Sequence, residues 1–68
     1  MTGISIVVNG EPRLTQSTTI EELLREFQLT GRRVAVEQNR VIVARDAFDA
    51  TALVPGDHIE IVHFVGGG

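Results

Sequence analysis

The residues whose type and position could carry chemistry are the last ones, Gly66, Gly67 and Gly68. Three glycines in succession have no Cβ, gain nothing from packing and lose more backbone entropy on ordering than other residues, so they are expected to be mobile. Extended, they make a thin peptide of roughly 10 Å, at about 3.3 Å per residue, able to enter a slot too narrow for side chains. A carboxylate at the end of such a peptide is a poor acyl donor. As an acyl adenylate it becomes an electrophile, and a sulfur nucleophile can then displace AMP. By composition alone the triplet reads equally as an idle flexible end or the scar of a fusion. A scar usually continues into tag residues, whereas here the sequence stops at glycine directly after an apolar stretch, which tilts the balance toward function.

No other residues assemble a reactive constellation. His58 and His63 are five apart on one extended stretch, hence on opposite faces, and neither has a Ser, Cys or Asp placed to make it catalytic. With no cysteine there is neither a disulfide nor a thiolate metal site, and no His/Asp/Glu spacing of the metal-site kind stands out. Arg32-Arg33 reads as a solvated pair before it reads as a partner contact.

Bulk properties narrow the classes further. At 68 residues the chain is one domain with a small core, burying about 60% of its unfolded surface. The net charge is −3, the pI is near 5.1, and the six basic residues, all Arg, are scattered, so nothing resembles a nucleic-acid footprint. No apolar run reaches the roughly 20 residues of a membrane span and the N-terminus lacks signal-peptide design, so no membrane role and a cytoplasmic location are expected. Without lysine, the chain has no side-chain amine to accept an isopeptide bond and is ill suited to build chains of itself.

The elements that must position the tail can be read in order. Ile4 to Val8 alternates as a strand, Asn9-Gly10 is a strong hairpin turn signal, and Glu11 to Leu14 returns as a second strand. Pro12 lacks a ladder donor and confines that return to a sheet edge. A helix follows, N-capped by Thr18 or Thr19 with Glu21 or Glu22 at capping-box spacing. Ile20, Leu23, Leu24 and Phe27 form its apolar stripe, and the Thr30-Gly31 pair predicts an end near Leu29. Val34-Ala35-Val36 and Val41-Ile42-Val43 are strands joined by a polar connection from Glu37 to Arg40. Ala44 to Pro55 is irregular, with Phe48 and Leu53 as inward anchors, and Pro55-Gly56-Asp57 is a turn. The last strand spans His58 to Val65. Ile59 and Ile61 face the core, which leaves Val62 and Phe64 on the opposite surface, with Val65 beside them, as a docking patch at the root of the tail.

This order predicts an α+β fold in which one face of a mixed sheet of about five strands covers one helix. Residues 1–65 form that single domain and residues 66–68 a flexible glycine tail.

The combination of Ile4 to Gly10, Thr19-Ile20-Glu21-Glu22-Leu23-Leu24, the Val34 to Val43 segment and Pro55-Gly56-Asp57 running through Ile59-Glu60-Ile61-Val62 to Gly68 resembles the ThiS family, the sulfur carriers of thiamine thiazole biosynthesis. The match spans essentially the whole chain, and the ending is its most specific part. The resemblance implies the ubiquitin-like β-grasp fold and a protein that is not itself an enzyme and binds no cofactor. It implies an E1-like adenylating enzyme of the ThiF type that uses ATP and magnesium to adenylate Gly68. It also implies sulfur from a cysteine desulfurase, a thiocarboxylate product, and a thiazole synthase of the ThiG type that consumes it. Two departures, Ala44-Arg45 in place of Pro-Arg and Phe48 where a tryptophan is common nearby, touch the irregular segment and not the tail. Related alternatives are the small subunit of molybdopterin synthase, usually longer, and a ubiquitin-like modifier or interaction module that is never thiolated.

Overall fold

The computed structural model describes residues 3–64. Five strands and one helix follow in the order β1 (Ile4–Val8), β2 (Glu11–Thr15), α1 (Ile20–Glu26), β3 (Val34–Gln38), β4 (Val41–Val43) and β5 (His58–His63), with a 3₁₀ turn at Arg45–Ala47. The strands form one sheet in the order β2-β1-β5-β3-β4. β1 and β5 are parallel, and the other neighbours are antiparallel. The strand that leads into the glycine tail is therefore the central one. This mixed sheet with a single helix on one face is the β-grasp arrangement. No helix of the described residues is long and apolar enough to cross a membrane.

Period-2 alternation sends Ile6, Val8, Val36, Ile59 and Ile61 to the helix side, where they are buried with Ile20, Leu23 and Leu24 of α1. Phe48 and Leu53 close the core from the irregular segment, as anticipated. The same segment also serves the helix. The amides of Ile20 and Glu21 donate to the carbonyls of Thr51 and Phe48, and that of Glu22 donates to Thr19 Oγ1, which satisfies amides that a helix start would otherwise leave unpaired. Thr19 is the N-cap. The Glu22 carboxylate accepts from the amide and hydroxyl of Thr18 instead of closing the box on Thr19. Pro12 lies on the edge strand β2, opposite Val7, where its missing N–H costs no central ladder bond.

Three boundaries differ from the sequence expectation. The helix ends at Glu26, about a turn short of Leu29. Gln28 takes the left-handed conformation (φ 62°), its amide donates to the Arg25 carbonyl and that of Leu29 to the Leu24 carbonyl. This is a Schellman closure built on glutamine, so the glycine signal at Gly31 lies beyond the actual stop. The connection between β3 and β4 is only Asn39-Arg40, with φ of 53° and 72°, because β3 continues through Glu37 and Gln38. Two successive left-handed residues make the tight turn that matches strand twist, and an arginine in the second place hid it. Described β5 closes at His63, two residues before the expected Val65, which lies outside the described residues.

Candidate functional site at the end of the central strand

β5 is held along its length by side chains from three turns. The turn before it pairs the Asp57 amide with the Val54 carbonyl (3.2 Å), and Gly56 supplies the left-handed φ of 89° that a Pro-Gly turn requires. Asp57 is buried at 4% exposure, and its carboxylate accepts from the Val54 amide (2.9 Å), Gln38 Nε2 (2.9 Å) and Asn39 Nδ2 (3.0 Å). Burial disfavours the charged form. The hydrogen bonds from Val54, Asn39 and Gln38, with the charge of His58, outweigh it and hold the carboxyl below its ordinary value.

At the start of the strand the His58 amide donates to Asn39 Oδ1 (2.9 Å), and the Asn39 amide donates to the His58 carbonyl (2.7 Å). Further along, the Asn9 amide donates to the Ile59 carbonyl (2.9 Å) and the Ile61 amide donates to Asn9 Oδ1 (2.8 Å). The last described residue is tied on the other edge, where the Phe64 amide donates to the Arg33 carbonyl (3.0 Å). The strand that carries the tail is thus fixed on the β1 side as far as Ile61 and on the β3 side as far as Phe64.

Of the residues expected to form a docking patch, Val62 and Phe64 are half exposed, at 51% and 52%; Val62 lies in β5 on the face opposite the helix, and Phe64 follows the end of the strand, where it lines a hollow with Arg33, Val34 and Arg45. Val62 pairs with Ala35 of β3, and Ile42 of β4 stands on the same face at 75% exposure. Glu37 and Glu60 also lie on this face, directly opposite each other across β3 and β5. His58 falls on the outer face and His63 on the helix side, so strand geometry keeps the two histidines apart. Val65, Gly66, Gly67 and Gly68 lie outside the described residues. Sequence reasoning missed the amide clasps of Asn9 and Asn39, for which asparagine at a turn is the only linear signal. It also missed Arg45, which the fold brings beside Phe64 across a shared hollow.

A family model described as "ThiS family" matches residues 3–68. The chain is 46% identical over 50 residues to the sulfur carrier protein ThiS of Bacillus subtilis, covering 74% of this chain and 76% of that protein. It is 42% and 44% identical over 66 residues to proteins named thiazole synthase from Magnetococcus marinus and Paramagnetospirillum magneticum. Those matches cover 96% of this chain but only 20% of each of those proteins. Among solved structures, the crystal structure of the thiamine biosynthesis protein ThiS from Geobacter metallireducens superposes with a TM-score of 0.79 at 35% identity. That superposition covers 96% of this chain and all of that one. With a family model matched over residues 3–68 and this superposition over nearly the whole chain, the chain belongs to the ThiS family.

Proposed function

We propose that this chain is a sulfur carrier for thiazole formation in thiamine biosynthesis, with the Gly68 carboxyl carbon as its reactive atom. The supporting observation is that the family match extends through residue 68 and so includes the glycine run beyond β5. The fold contributes no catalytic group in this reading. It acts as a co-substrate that presents Gly66, Gly67 and Gly68 from a rigid strand, with Val62, Phe64 and Val65 as the surface against which partners seat.

The chemistry balances as follows. A Gly68 carboxylate oxygen attacks the α-phosphorus of ATP on an E1-like adenylating enzyme of the ThiF type, with magnesium held there, and pyrophosphate leaves. A persulfide sulfur, supplied from a cysteine desulfurase, attacks the acyl carbon and AMP leaves. A thiol then attacks the donor enzyme's sulfur in the acyl disulfide, forming a new disulfide with that enzyme and releasing the chain as the thiocarboxylate. A thiazole synthase of the ThiG type consumes that sulfur. The two relatives named thiazole synthase support this partner, since a region like this chain makes up a fifth of each. In this reading the chain works in the cytoplasm.

Intact mass after incubation with ATP, magnesium, the adenylating enzyme and a sulfur source tests the reading. The expected product gains one sulfur and loses one oxygen, with Gly68 as the last residue. Deleting Gly68 is expected to abolish the gain while the fold persists. Uptake of sulfur by the deletion variant, or conversion of the wild type into protein adducts, would sink the proposal.

A further inference from the structure

The net charge of −3 conceals an uneven distribution around the root of the tail. Arg32, Arg33 and Arg45 are half of the six basic residues, and all three are exposed. A shallow hollow of about 450 Å³ is lined by Arg33, Val34, Arg45 and Phe64. Arg45 Nη2 donates to the Arg32 carbonyl (2.9 Å), which tethers the loop after the helix to the 3₁₀ turn and preorients that guanidinium. The Arg33 carbonyl in turn accepts from the Phe64 amide, so aromatic and cations sit in one fixed unit. Among the described residues the salt bridge runs elsewhere, between Arg13 and Glu26, and these three arginines have no carboxylate within ion-pair distance.

We propose that Arg33, Arg45 and Phe64, which line one hollow, form the contact surface for an acidic patch on the enzyme that loads the tail. This inference rests on the carrier reading and names the chemistry of its partner. An exposed aromatic beside arginines has the composition of an interface centre with a charged rim, and guanidinium forks match carboxylates in pairs. A guanidinium already held by the backbone loses less freedom on pairing. The proposed contacts are made by side chains other than the reacting one, and a fully extended stretch from Phe64 to Gly68 would span up to about 14 Å. The arginines therefore set docking and encounter, and leave the chemical step unchanged.

The test is steady-state loading of the full chain by its adenylating enzyme, at ionic strengths from roughly 0.01 to 0.15 M, over which the Debye length shrinks from about 30 to about 8 Å. The Arg33→Gln, Arg45→Gln double variant is expected to raise the carrier's KM about tenfold at low salt with kcat unchanged, and to flatten its salt dependence. Phe64→Ala should raise KM without altering the salt dependence, and Arg25→Gln, on the exposed helix side, should alter neither. Unchanged KM and salt dependence in the double variant overturn this inference alone. So does a raised KM with the wild-type salt dependence, which would assign the arginines to packing. A wild-type chain that takes up no sulfur overturns the carrier reading, and this inference with it.

Discussion

The side chain of Asn9 pairs with the backbone of Ile61 in the manner of a peptide unit, its Oδ1 accepting the Ile61 amide (2.8 Å) and its Nδ2 donating to the Ile61 carbonyl (3.3 Å). The parallel ladder between β1 and β5 is short, with Val7 opposite His58 and Val8 opposite Ile59. At Asn9 the chain turns away with φ of 51°, followed by Gly10 at 84°, to form the hairpin with β2. β5 continues without it. The carboxamide of Asn9 replaces the next peptide of the departing strand and extends the ladder by one step toward the tail.

Asn9→Gly keeps the backbone conformation, since glycine adopts positive φ without strain, and removes the two side-chain bonds. The expected loss is about 1–2 kcal/mol, from a typical net of about 1 kcal/mol per hydrogen bond. The loss should be localised: amide exchange at Ile61 accelerates by more than the global change, while the amides of Ile6 and Leu23 follow global stability. Uniform acceleration would show that the clasp does not hold the strand end separately from the rest of the sheet.

This pair also marks where the linear sequence stops being informative. Asn9-Gly10 states the hairpin, because its two residues favour the required backbone, and the apolar alternation of Ile4 to Val8 states which face is buried. Neither tells that the asparagine amide reaches a strand some 50 positions away. The placement of Phe48 and Leu53 in the core was legible from hydrophobicity within a polar stretch. The convergence of Arg45 on Phe64 was not, because it depends on β3 lying between β4 and β5. The helix stop and the β3–β4 turn were misplaced for one shared reason, that Gln28 and Arg40 occupy left-handed positions where glycine is the usual signal.

The Asp57 carboxyl predicts an acid limit to stability. Its ordinary value is 3.8 and the folded state lowers it. As pH falls, the unfolded chain therefore takes up the proton first, so the stabilisation is complete above that value and is lost as pH descends through the lower folded value. Urea unfolding is expected to give constant stability from this group at neutral pH and a decline below about pH 4, approaching 1.4 kcal/mol per pH unit per proton. Glu26 lies at the surface; partial desolvation raises its pKa, and the hydrogen bonds from Thr15, Arg13 and Ser17 outweigh this and hold it low, so it adds to the same acid limb. Asp57→Asn should flatten the limb. It should also cost about 1–3 kcal/mol at neutral pH, because a carboxamide turns an N–H toward groups that are themselves donors. An equally steep limb in the variant would place the acid sensitivity elsewhere.

Gln28→Gly is expected to stabilise the protein. Gln28 closes the helix at φ of 62°, a conformation that costs an L-residue about 1–2 kcal/mol, and its side chain is exposed. Glycine removes that cost, partly offset by the greater freedom it gives the unfolded chain, for a net gain of roughly 0.5–1 kcal/mol. A rise in the urea midpoint at constant m-value is the expected result, and a fall would mean that the Gln28 side chain contributes contacts of its own.

Phe64→Asp separates the surface from the core. Phe64 and Ile61 belong to the same stretch but differ in exposure, 52% against 8%: Ile61 lies within β5 on its buried face, and Phe64 lies one residue beyond the strand's end. A charge at Phe64 stays solvated, so thermal stability should change by less than about 0.5 kcal/mol, as for surface substitutions in general. A charge at Ile61 is buried among Ile6, Val36 and the helix without a partner, and Ile61→Asp is expected to unfold the domain. In the sulfur-loading assay the ranking acquires a functional meaning: Phe64→Asp should weaken capture by the adenylating enzyme while leaving the melting curve in place. A large fall in melting temperature for Phe64→Asp would show that this ring supports the fold.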